Sequence, residues 1–135
     1  MQVLILDTVH PLLLEGLRQM GFNLIEEYAA SKDDLTPHLS EIYGVVLRSR
    51  LPIDKDFLAA APKLHFIARV GAGMENIDTG AAARLGIHCF KAPEGNRDAV
   101  GEHALGMLLM MLNNLRRADA EVRNGQWRKG GQPRL

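Results

Sequence analysis

Short apolar runs alternate with helical spacings along most of the chain. Val3-Leu4-Ile5-Leu6 reads as a first strand closed by Asp7-Thr8, and Pro11 opens a helix through Met20 with Gly21 as its stop. Phe22 to Glu26 forms a second strand. Ser31 is a natural N-cap for a helix beginning near Lys32, which Pro37 weakens from inside. Gly44-Val45-Val46-Leu47 is a third strand that ends at Arg48-Ser49-Arg50. Asp54 caps a short helix through Ala61, Leu64 to Val70 is a fourth strand, Asp78 caps a helix ended by Gly86, and Ile87 to Phe90 is a fifth strand.

The strands are continuously apolar rather than alternating, as expected when helices cover both faces of a parallel sheet. Right-handed crossovers leave few topologies for five such units, and the flavodoxin-like order 2-1-3-4-5 is the natural one. The chain is expected to divide into residues 1–97, the α/β domain, and residues 98–135, a long helix with a tail. From Ala99 to roughly Arg123 the sequence reads as one helix. Its first half, Ala104 to Leu112, is apolar on nearly every side, so it must be buried on nearly every side. The α/β domain can cover one face, and the remainder calls for a second domain or a second copy of the chain.

Composition narrows the function classes. The 16 basic and 16 acidic residues give zero net charge, which argues against nucleic acid or an anionic membrane as the main partner. Basic residues nevertheless gather late in Arg116, Arg117, Arg123, Arg128, Lys129 and Arg134, read here as a solvated helix end rather than a phosphate strip. The single cysteine, Cys89, excludes an internal disulfide and reads as a small core residue. No signal peptide opens the chain and no apolar run is long enough for a membrane span, so a soluble cytoplasmic protein is expected.

Ligands of open parallel sheets bind beyond the carboxyl ends of the strands. After the fourth strand, Gly71-Ala72-Gly73 could pass for a dinucleotide fingerprint, but position 76 is Asn and the run near position 91 is Phe90-Lys91-Ala92, without the acidic residue a ribose needs. Two glycines can instead aim successive backbone amides into one concave site suited to a carboxylate or phosphate. Arg48 and Arg50 offer planar forks at the end of the third strand. The anion reading is stronger for Arg48, whereas Arg50 is expected to cap an acidic neighbour. Asn96, in the Pro93-Glu94-Gly95-Asn96 loop before the long helix, is equally a turn residue or a cleft residue. The five histidines form no metal or triad constellation; His65 and His88 read as structural and His103 as packed.

On these residues the chain resembles the D-2-hydroxyacid dehydrogenases, above all the phosphoglycerate dehydrogenases that open serine biosynthesis. The resemblance runs through Leu64 to Asp78, Ala81 to Ile87, Pro93-Glu94-Gly95-Asn96, Val100 to Leu105, Asn124-Gly125-Gln126-Trp127, and the basic motif Arg48-Ser49. It implies that the amides of Gly71, Ala72 and Gly73 receive a substrate carboxylate, that Arg48 and Ser49 approach its far end, and that Asn96 lines the cleft. Ala72 would also lie near the nicotinamide edge of NAD in full-length relatives. Ala99 departs from the family, where Ser or Thr is common. The resemblance further implies that the cofactor domain, with the family's arginine, glutamate and histidine, is absent from this chain. It is therefore expected to be the substrate-binding half of such an enzyme. No catalytic residue, metal or bound cofactor of its own is expected, its ligand is a small anionic 2-hydroxy acid, and it pairs as a homodimer through Ala99–Arg123. The rival expectation is a stand-alone flavodoxin-like binding or signalling domain, or a fragment whose role is structural. A phosphorelay receiver would match Asp7 and Lys91 but needs an aspartate where Arg48 stands.

Overall fold

The computed structural model describes residues 1–127; Arg128, Lys129 and Arg134 of the basic tail lie outside them. The chain forms two compact units, Met1–Gly95 and Asn96–Leu135. In the first, five parallel strands, β1 (Gln2–Ile5), β2 (Asn23–Glu26), β3 (Ile42–Leu47), β4 (Phe66–Arg69) and β5 (His88–Lys91), lie in the order β2-β1-β3-β4-β5. This is the expected topology. Four helices connect the strands: α1 (Pro11–Gln19), α2 (Lys32–Leu39), α3 (Lys55–Ala60) and α4 (Thr79–Arg84).

Side chains of β1 and of Leu6 directly after it show how both faces become core. Leu4 and Leu6 point into one cluster with Leu35, Phe57, Leu58, Ala81 and Ala82 of α2, α3 and α4. Val3 and Ile5 point the other way, against Leu17 of α1. Each fully buried side chain of this kind is worth about 1.5–3 kcal/mol relative to exposure. Gly44 serves the second face by having no side chain. A Cβ there would lie 2.2 Å from the Phe66 ring, which is itself held by Phe22, Tyr43 and Phe90.

Local signals set the helix ends. Ser31 and Asp34 form a reciprocal capping box at α2, with Pro37 inside the helix. The Oδ1 atoms of Asp54 and Asp78 accept from Phe57 N and Ala81 N at 2.9 and 2.8 Å. Gly21 and Gly86 take positive φ (85° and 72°) directly after α1 and α4, a conformation that favours glycine.

The long helix departs from expectation in two ways. It begins at Glu94 rather than Ala99, so Glu94-Gly95-Asn96 are helical instead of a loop. It also ends at Leu112, and a separate helix runs from Leu115 to Arg123; these are α5 and α6. The break falls at Asn114, in the left-handed region at φ 51°. Asparagine visits that region more readily than other non-glycine residues. No residue of α5 is buried, and His103, expected to be packed, is exposed. On α6, Arg117 pairs with Glu121 and Arg123 with Asp119 one turn apart. No helix among the described residues is long and apolar enough to cross a membrane.

Candidate functional site

The pairing of β3 with β4 sets the loop after Leu47 beside the loop after Arg69. Arg48, Ser49, Gly71, Ala72 and Gly73 thus occupy adjacent loops at the carboxyl edge of the sheet. Arg48 and Ser49 are both exposed, and among the described residues the Arg48 guanidinium has no hydrogen bond or ion pair. Its main chain is fixed all the same: Arg48 N–H donates to Asp7 Oδ2 at 2.6 Å, and Arg48 O accepts from Arg69 Nε at 3.0 Å.

Arg50 does something different. Its guanidinium donates to Leu6 O (2.9 Å), Ala30 O (2.5 Å) and Glu27 O (2.9 Å). It does not cap an acidic neighbour as expected; it pins the ends of β1 and β2 to the β3 loop. The reason is positional: the Leu6 and Glu27 carbonyls follow directly on β1 and β2, where the ladders stop, and Ala30 lies in the loop before α2.

The glycine loop is held at both ends. Gly71 N–H donates back to Arg69 O at 2.9 Å, and Gly71 O accepts from Ala92 N–H at 2.9 Å. The amides of Ala72 and Gly73 donate to no group among the described residues. Neither Gly71 nor Gly73 has positive φ, so the glycines serve close approach rather than an unusual turn. A Cβ on Gly71 would come within 2.8 Å of Arg69 Nη1. The Glu75 carboxylate folds over Gly73 and lies 3.6 Å from Arg69 Nη2. Asn76 links the two loops, donating from Nδ2 to Leu51 O at 3.0 Å and Arg48 O at 3.5 Å, while its buried Oδ1 has no partner.

Arg69 is the residue that sequence reasoning left out of the site. Its side chain is only 16% exposed, yet it spans both loops. An arginine closing an otherwise apolar strand run, Phe66-Ile67-Ala68-Arg69, was the available signal. Asn96 falls in the second unit, in the first turn of α5.

These residues do not fit a dinucleotide pyrophosphate. Five residues separate Gly73 from α4, the Asp78 carboxylate already occupies the helix start, and Asn76 is engaged where a third glycine would be needed. What the loops can hold is a small anion, offered two free amides and one free guanidinium.

The other candidates are structural. His10 caps α1 by accepting from Leu12 N–H, and His65 stacks on Tyr43 with ring centroids 4.3 Å apart. Cys89 packs against the core, and burial pushes its thiol pKa up, which suppresses the thiolate. No group of histidine, cysteine and acidic residues suited to a metal occurs among the described residues.

Comparison with known proteins bears on the family and the fold. The family profile described as D-isomer specific 2-hydroxyacid dehydrogenase, catalytic domain, matches residues 3–126. D-3-phosphoglycerate dehydrogenase from Sus scrofa is 33% identical over 128 residues, which are 95% of this chain and 24% of that protein. A protein from Pyrococcus horikoshii superposes with a TM-score of 0.89 at 23% identity, over 99% of this chain and 42% of that one. NAD+-bound 3-phosphoglycerate dehydrogenase from Entamoeba histolytica gives 0.66 at 24% identity, over 98% and 43%. The chain thus spans about a quarter of the length of the curated relatives it matches.

Proposed function

The chain belongs to the D-isomer specific 2-hydroxyacid dehydrogenase family, and from that premise we propose that it supplies the substrate-binding half of such an enzyme. The observation that carries this reading is that the unengaged Arg48 guanidinium and the unengaged amides of Ala72 and Gly73 belong to neighbouring loops, those after β3 and β4. A 2-hydroxy acid with a second anionic end satisfies both. Its carboxylate would take the amides, and Arg48 with Ser49 would take the far end, a phosphate in D-3-phosphoglycerate. That substrate is suggested by the porcine relative's name. Arg69, held between the two loops, would add positive charge to the site, and Gly71 leaves room for its side chain.

Hydride transfer from such an acid needs a nicotinamide against C2, and loss of the hydroxyl proton needs a base within hydrogen-bond reach. NAD would come from the portion of the longer relatives that this chain does not match, with only Ala72 at its edge. Residues 1–135 alone are expected to bind the acid without turning it over. Calorimetric titration with D-3-phosphoglycerate tests this. Arg48→Ala should weaken binding about tenfold, the loss of one charge-assisted contact. Equal affinity of wild type and variant would contradict the reading, as would NADH-dependent reduction of the matching keto acid by the chain alone.

We also propose self-association through Ala99–Arg123. Support comes from α5, where Leu105, Met107, Leu108, Leu109, Met110 and Met111 are all about half exposed. A patch of this kind marks an interaction surface. Light scattering should show a dimer at micromolar concentration, and a monomer would remove this part.

A further inference from the structure

The exposed end of Arg48 is free, but its peptide is one of the most constrained in the loop. Asp7, from the end of β1, accepts the Arg48 N–H at 2.6 Å. Arg69, from the end of β4, and Asn76, from the loop before α4, both donate to the Arg48 carbonyl. Three side chains from three segments therefore hold the two sides of one residue's main chain, while its side chain is left unengaged. Asn76 is also tied by its own main chain, since Asn76 O accepts from Ile53 N–H at 2.8 Å. Its Nδ2 is committed to two carbonyls at the expense of a buried Oδ1 with no partner. Leaving a buried acceptor unpaired is unfavourable.

We propose that Asp7 and Asn76 are positioning residues for Arg48, holding its main chain so that the side chain sets out towards the anion from one fixed point of the loop. Pre-organisation of this kind raises affinity by lowering the ordering cost on binding. The inference rests on the anion reading of Arg48 and adds two residues that need not touch the ligand.

The sign of the effect separates positioning from electrostatics. Asp7 carries negative charge near a site for anions, so charge alone predicts that Asp7→Ala tightens binding. Positioning predicts the reverse. Titration of the full chain with D-3-phosphoglycerate should show Asp7→Ala weakened by about fivefold, while Asp7→Asn, which keeps the acceptor and drops the charge, binds at least as well as wild type. Asn76→Ala should also weaken binding. In an Arg48→Ala background, neither Asp7→Ala nor Asn76→Ala should weaken it further, because both act through that guanidinium.

An Asp7→Ala variant that binds more tightly than wild type would overturn the proposal, as would losses of full size in the Arg48→Ala background. If Arg48→Ala itself binds like wild type, the anion reading fails instead, and the two failures are distinct. A ligand-free check covers variants that fold poorly. In the 15N spectrum of the well-folded Asp7→Asn chain the Arg48 amide should stay near its downfield wild-type position, and in Asp7→Ala it should move upfield. An unmoved Arg48 amide in Asp7→Ala would show that the lock does not exist.

Discussion

The two units of this chain handle apolar residues in opposite ways. Every buried hydrophobic side chain among the described residues lies between Val3 and Ile87, in the first unit. The second unit carries an equally apolar run, Ala104 to Leu112, and buries none of it. The first unit can do this because its strands send side chains to both faces and its helices arrive from both sides. A helix that is apolar on every side has no such arrangement within itself. The difference teaches that the signals that close the core lie in one stretch, while the other leaves its apolar side chains exposed and carries the proposed self-association.

Phe57→Ala should cost about 3–5 kcal/mol in urea unfolding, as large-to-small changes in a filled core do, whereas Leu108→Ala should stay within about 0.5 kcal/mol at concentrations too low for association. A Leu108→Ala cost approaching that of Phe57→Ala would mean that α5 is buried after all. A smaller effect is expected at Gly44, where an added methyl must displace a ring held by three others. Gly44→Ala should lower stability by about 1–3 kcal/mol, and an unchanged midpoint would show that the second sheet face is looser than described.

The smallest effect concerns pH. The Lys32 ammonium, at 2.7 Å, and the Phe57 N–H hold the Asp54 carboxyl below its usual pKa. A lowered folded-state pKa gives stability that is present above the ordinary carboxylate pKa, about 3.9, and is lost as pH falls through the folded value. Asp54→Ala should therefore cost about 1 kcal/mol near neutrality, mostly as a lost cap, and progressively less in acid. A gap in melting temperature that stays constant down to pH 2 would rule this out.

Much of the first unit was legible because its signals are local. Apolar runs a few residues long, Ser31, Asp54 and Asp78 before helices, and Gly21 and Gly86 after them specify elements without reference to the rest of the chain. The break at Asn114 was hidden because asparagine breaks helices only weakly and the apolar run before it dominates the pattern. The proposed site was read from residue types at strand ends, hence Arg48 and the glycine loop. The separate fate of Arg50 was not, since it depends on where the carbonyls of Leu6, Glu27 and Ala30 meet in space. Arg69 and Asp7 were missed for the same reason, each acting on a peptide distant in sequence.

The central claim is that the paired loops at the carboxyl edge of the first unit receive a small acid with two anionic ends. Titrating 15N-labelled chain with D-3-phosphoglycerate addresses it directly. The expected result is saturable shifts at the amides of Ser49, Ala72 and Gly73, with Gly71 and Arg48 moving less because their N–H groups are already engaged by Arg69 O and Asp7 Oδ2. Shifts confined to α5 and α6, or none at millimolar ligand, would contradict it.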